Sequence, residues 1–228
     1  AARTAGVQVV TGDTKVVEQG KGDGVFITTT GVGVVDPALV IGGERARPGD
    51  RILVSGPIGD HGMAIMSLRE SLAFDTEIVS DSAALHGLVA AMIEAAGAQT
   101  RAGRGIKVLR DPTRGGLATT LNEIAAQSGV GMMLEEAAIP VRAQVAAACE
   151  FLGLDPLYVA NEGKLVAIVA AEDSERVLAA MRAHPLGAES ALIGTVTEDA
   201  NRFVQMSTRF GGRRIVDWLT GDQLPRIC

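Results

Sequence analysis

Residues 85–134 read LHGLVAAMIEAAGAQTRAGRGIKVLRDPTRGGLATTLNEIAAQSGVGMML, and the periodicity of this stretch decides the fold class. Leu85, Leu88, Val89, Met92, Ile93 and Ala96 fall at i, i+3, i+4, i+7, i+8 and i+11, one face of a helix. The apolar run at residues 106–109 predicts a strand, Leu117, Leu121 and Ile124 a second helix, and residues 130–134 a second strand. Toward the C-terminus, Val141, Val145, Ala148, Cys149 and Leu152 predict a third helix. Val177, Leu178 and Met181 predict a fourth, with Asp173 or Ser174 as its N-cap. Residues 164–171 and 191–196 predict strands, and residues 202–206 and 213–216 a hairpin around Gly211-Gly212. Toward the N-terminus, residues 51–54 open a strand after the boundary Arg47-Pro48-Gly49-Asp50. Residues 7–10 and 25–35 read as two further β segments. There is no clean βαβαβ rhythm. The expected class is α+β: one sheet with helices on a face. Residues 221–228 lack periodicity and contain Pro225, which predicts a mobile tail.

Composition narrows the function classes. With 47% hydrophobic and 21% charged residues among 228, the chain is a folding one and not a disordered one. A net charge of −6 counts against nucleic acid as a main partner. No apolar run approaches the roughly 18–20 residues that span a bilayer, and residues 1–4 begin no signal-peptide pattern. Two cysteines exclude a disulfide scaffold and a paired-cysteine metal motif. These features fit the cytoplasm. Glycine supplies 28 residues, so tight turns are numerous. The chain lacks an initiator Met, and residues 1–6 read like the end of a helix entering a strand, as though the sequence starts inside a domain.

Five stretches carry candidate chemistry. Gly12-Asp13-Thr14-Lys15 follows a predicted strand: either a polar turn, or a loop offering Asp13 to Mg²⁺ and Lys15 to a developing negative charge. In Ser55-Gly56-Pro57-Ile58-Gly59-Asp60-His61-Gly62, glycines between strand and helix let backbone N–H groups approach an anion. The plainer reading is a helix start capped by Asp60, with His61 structural. Neither a Walker A loop nor GxGxxG is present there. In Asp111-Pro112-Thr113-Arg114-Gly115-Gly116, Thr113 can N-cap the next helix, and Arg114 with the two glycines makes either a phosphate pocket or only a tight turn. Asn161-Glu162-Gly163-Lys164 precedes a very apolar strand, so Glu162 is either a partly desolvated base or a polar cap. Terminal Pro225-Arg226-Ile227-Cys228 puts a thiol on an arm, with Arg226 favouring thiolate. Cys149, on an apolar helix face, is expected to be buried and inert. Arg101, Arg104, Lys107 and Arg110 are expected to form a solvated basic loop.

Taken together with Thr11 to Val17, the motifs Gly59-Asp60-His61-Gly62, Asp111 to Gly116, Asn161 to Lys164 and the Pro-Arg-Ile-Cys tail closely resemble the HypE family, the carbamoyl dehydratases of NiFe-hydrogenase maturation. The likeness runs along the whole chain. That family is grouped with aminoimidazole ribonucleotide synthetase, selenophosphate synthetase and thiamine monophosphate kinase. The resemblance implies a two-domain PurM-like fold: residues 1–48 as the remainder of an ATP-binding and dimerisation domain, 49–216 as a C-terminal α+β domain, and 217–228 as the tail. It implies that HypF carbamoylates Cys228, that ATP with Mg²⁺ drives dehydration to a thiocyanate, and that the cyano group passes to iron on a HypC–HypD complex. It further implies Glu162 as the base and Lys15 near the carbamoyl oxygen. Asp13, the metal ligand, and Thr14 lie on the nucleotide side, and Arg114, Gly115 and Gly116 form a phosphate turn. Asp60 and His61 match a motif placed with the nucleotide. A competing reading is a non-catalytic thiol carrier whose partner does the chemistry. The thiol at the end of the chain argues against a selenophosphate synthetase, which keeps its reactive residue near its start.

Members of the family carry roughly a hundred residues before residue 7. The chain as given is therefore expected to bind ATP poorly and to stay monomeric. Gel filtration with a nucleotide-binding assay checks this, and a tight ATP-binding dimer would contradict it.

Overall fold

The computed structural model describes the chain except Asp23, residues 70–76 and residues 221–228. Two compact units are present, Ala1–Pro37 and Ala38 onward. In the first unit, residues 7–10 and 25–35 form no strand, against expectation. A strand is defined by a hydrogen-bonded neighbour, and no described segment pairs with either run, so period-two patterning alone does not make a sheet.

The second unit is built on one seven-stranded sheet in the order β2-β4-β1-β5-β3-β6-β7. Its strands are β1 (Arg51–Val54), β2 (Ile106–Arg110), β3 (Gly131–Glu135), β4 (Val166–Val169), β5 (Ala191–Thr197), β6 (Val204–Ser207) and β7 (Arg213–Ile215). All neighbours are antiparallel except β3 and β6. The helices are α1 (Asp60–Arg69), α2 (His86–Ala96), α3 (Ala98–Arg101), α4 (Gly116–Ser128), α5 (Ala143–Leu152) and α6 (Ala171–Ala183).

Helices cover both faces of the sheet and not one. Strand alternation shows why. Ile52, Val54, Val166 and Ile168 pack with Leu117, Leu121 and Ile124 of α4. The intervening Leu53, Ala167 and Val169 pack with Leu88 and Met92 of α2 and Val177 and Met181 of α6. The continuous apolar run of β4 is what a strand buried on both sides requires. A smaller cluster joins α1 and α5 through Met63, Met66, Val145, Ala148 and Cys149.

Four local expectations are corrected. Helix α6 starts at Ala171, so Asp173 and Ser174 sit inside its first turn: Asp173 pairs with Arg176, and Ser174 Oγ donates to Ala171 O. That early start also ends β4 at Val169. Thr113 does not cap α4; its hydroxyl donates to Asp111 Oδ2, and Gly115 is the cap residue. The basic cluster is not a solvated loop, because Lys107 and Arg110 lie on β2 and pair with Asp50 and Glu123. The hairpin of β6 and β7 forms as expected, its turn closed by Thr208 N donating to Gly212 O at 2.8 Å.

Candidate active site

Sheet topology brings three of the sequence motifs together. Strand β4 lies between β1 and β2 and runs against both. Val54 and Arg110, the last residues of β1 and β2, are both in register with Val166, the first residue of β4. The turns that leave β1 and β2, and the turn that enters β4, therefore meet at one end of the sheet. They are the segments at residues 55–62, 111–116 and 161–165.

The side chain of Asn161 ties them. It is fully buried. Its Oδ1 accepts from Gly59 N at 2.8 Å, and its Nδ2 donates to Pro112 O at 2.9 Å and Val159 O at 3.0 Å. Gly62 N donates to Ala160 O at 3.0 Å, and Ser55 Oγ accepts from Leu165 N at 3.0 Å. The approach is close enough to dictate residue type. A Cβ on Gly116, which has φ +62°, would lie 2.5 Å from Leu157 O and 2.7 Å from Val159 O.

Glu162 follows Asn161 at the mouth of β4 and is half-buried. Its backbone N donates to Asp81 Oδ1 at 3.0 Å, Gly163 N donates to the same oxygen at 3.2 Å, and Lys164 Nζ lies 3.3 Å from Asp81 Oδ2. Among the described residues no group bonds the Glu162 carboxylate. It is available to a ligand.

Asp60 opens α1 and does not act as a simple cap: its Oδ2 accepts from Arg142 Nε at 3.2 Å, and Arg142 also pairs with Glu189. Burial pushes the Asp60 carboxyl above its ordinary range, against the pull of the Arg142 hydrogen bond. His61 Nδ1 pairs with Ser80 Oγ at 2.8 Å, while its Nε2 is buried without a partner among the described residues. Cys149 is buried as expected, and desolvation pushes its thiol up to about 11.

The start of α4 suits a phosphate group. No side chain caps its first turn, where Gly115 has φ +68° and Gly116 N donates to Thr113 O at 3.3 Å. Exposed Arg114 stands beside it on a cleft of about 430 Å³ that Arg110, Asp111, Thr113, Thr120 and Glu123 also line. Asp13, Thr14 and Lys15 belong to the first unit, where Thr14 N donates to Asp13 Oδ1 at 2.8 Å. Among the described residues no group of three or more His, Cys, Asp or Glu gathers as a metal site. Asp13 as a lone protein ligand fits Mg²⁺ held mostly by phosphates and water. Cys228 lies outside the described residues. The sequence reading missed Asp81, in a segment without periodicity, and gave Asn161 no role. A polar residue two before a glycine at the entry to an all-apolar strand was the available signal for Asn161.

Comparison with known proteins places the chain in a family. Residues 47–207 match the family described as AIR synthase related protein, C-terminal domain. The carbamoyl dehydratase HypE of Cupriavidus necator is 71% identical over the whole chain, which spans 63% of that relative's length. A crystal structure of the hydrogenase maturation protein HypE in complex with ATP superposes with TM-score 0.86 at 46% identity, covering all of this chain and 67% of that one. A HypE–HypF complex matches with TM-score 0.73 at 46% identity, covering 78% of this chain and 56% of that one. No described helix is long and apolar enough to cross a membrane.

The bonds of Asn161 predict its energetic weight. Asn161→Ala would orphan two buried backbone groups, Gly59 N and Val159 O, because Pro112 O keeps the bond from the backbone N of residue 161, and should destabilise the protein by about 2 kcal/mol or more in urea unfolding. Exposed Asn201→Ala should stay within about 0.5 kcal/mol. A loss under about 1 kcal/mol at Asn161 would contradict the clamp.

Proposed function

Because the chain belongs to the HypE family of AIR synthase related proteins, we propose that it serves hydrogenase maturation in the cytoplasm as an ATP-dependent carbamoyl dehydratase acting on its own Cys228. The observation that carries this reading is the Asn161 clamp, which ties the residue before Glu162 to the turns at Gly59 and Pro112.

HypF delivers a carbamoyl group to the Cys228 sulfur; the solved HypE–HypF complex supports that partner. ATP with Mg²⁺ supplies the phosphoryl group that makes the carbamoyl oxygen a leaving group, and the ATP complex of a HypE protein supports that cofactor. Glu162 accepts protons from the carbamoyl nitrogen. Lys15 offsets negative charge on the oxygen. Asp13 and Thr14 serve the metal and the phosphates. Arg114, at the turn formed by Gly115 and Gly116, orients a phosphate. Asp60 and His61 stand on the nucleotide side.

The atoms balance. S–C(=O)NH₂ becomes S–C≡N: the C–O bond breaks, oxygen leaves with phosphate, and both nitrogen protons depart. The cyano group then goes to iron on a HypC–HypD complex. In this reading residues 49–216 are the second PurM-like domain, and dimerisation and full ATP affinity belong to a longer chain.

Intact-protein mass spectrometry tests the reading. The chain, fused behind the upstream segment of the Cupriavidus relative, is incubated with HypF, carbamoyl phosphate and ATP. The Cys228 adduct should lose one water. Glu162→Gln should form the adduct and lose water roughly 100- to 10,000-fold more slowly. Dehydration at an undiminished rate in Glu162→Gln would instead favour a thiol carrier whose chemistry is done by a partner.

A further inference from the structure

The segment between α1 and α2 carries no regular secondary structure at residues 77–84, yet one of its side chains is among the most buried carboxylates of the fold. The Asp81 side chain is 3% exposed. A carboxylate tolerates that burial only when its charge is matched. Oδ1 receives two consecutive backbone amides, those of Glu162 and Gly163, while Oδ2 accepts no hydrogen bond among the described residues and is matched by charge alone, with the Lys164 ammonium at 3.3 Å.

The backbone contact is as tight as the polar one. A Cβ on Gly163 would lie 1.7 Å from Asp81 O and 2.7 Å from Ala83 N, so glycine alone lets the two chains meet. A second anchor lies beside it, where Ser80 Oγ pairs with His61 Nδ1 and with Ser82 Oγ at 3.1 Å. The peptide bearing Glu162 is thus held from both sides. Asn161 fixes it to the glycine turns, and Asp81 fixes it to the α1–α2 segment.

We infer that Asp81 is a positioning residue for the dehydration: it holds the Glu162-Gly163 backbone so that the Glu162 carboxylate is presented in one direction. The inference rests on Glu162 being the base. Asp81 touches neither substrate nor nucleotide in this role. It should govern the rate of proton removal and leave carbamoyl loading and ATP saturation alone. A misplacement of about 1 Å in a reacting group costs on the order of 100-fold in rate.

The test is a double-mutant cycle in the fused full-length chain, read as the single-turnover rate of water loss from the Cys228 adduct. Asp81→Ala should slow that step about 100-fold, with carbamoylation by HypF and half-saturating ATP unchanged within about twofold. Asp81→Asn keeps the shape and the oxygen that accepts the two amides, and loses only the Lys164 ion pair. It should stay folded and recover part of the rate, guarding against an alanine variant that fails to fold. In the Glu162→Gln background, Asp81→Ala should add no further loss, because both changes act through one group. Full activity of both Asp81 variants beside a slowed Glu162→Gln would overturn the inference alone. So would losses that multiply. An undiminished rate in Glu162→Gln would remove the base assignment itself, and the inference with it.

Discussion

The buried amide of Asn161 is the constraint on which the described site depends. Glycine-rich turns expose backbone N–H and C=O groups, and those groups must find partners once the turns are packed away from water. An amide carries both an acceptor and two donors. Asn161 spends them on Gly59, Pro112 and Val159, which come from three separate parts of the chain. An aspartate side chain could donate to neither Pro112 O nor Val159 O, and a leucine would leave Gly59 N and Val159 O unmatched.

The clamp works because the sheet has already done the coarse placement. Strands β1 and β2 flank β4 and run opposite to it, so the exits of the first two and the entry of the third share an edge. Core packing on both faces holds those strands rigid: α4 on one side, α2 and α6 on the other. What remains is a local problem of fitting backbone to backbone. Gly116 and Gly163 solve it by having no side chain where Leu157 O and Asp81 O approach. The chemistry proposed here uses what these turns present: a half-buried carboxylate from Glu162, an exposed guanidinium from Arg114, and a helix end without a side-chain cap.

Much of this was legible in the sequence. Helices α2, α4 and α5 follow from apolar spacing, and every strand of the sheet falls on a run that reads as β, although β2, β3, β5 and β6 each end one residue beyond it, at Arg110, Glu135, Thr197 and Ser207. The motifs at 59–62, 111–116 and 161–164 also stand out, because glycine and proline cluster beside charged residues. Legibility fails where the cause is tertiary. Residues 7–10 and 25–35 have strand composition, but composition cannot supply the neighbour that makes a strand. Asp81 is invisible because its partners, Glu162 and Gly163, are eighty residues away and the contact is to their backbone. The capping assignments of Thr113 and Asp173 fail for a related reason: in both, a nearer or charged partner, Asp111 or Arg176, takes the side chain.

Residue-resolved amide hydrogen exchange tests the central claim most directly. The Gly59, Glu162 and Gly163 amides lie in turns, yet each donates to a buried side chain of Asn161 or Asp81. The account predicts protection approaching that of Ile168 in the centre of the sheet. Exchange at the rate of exposed turn amides such as Gly211 would contradict it, because the turns would then be opening independently of the fold that is said to hold them.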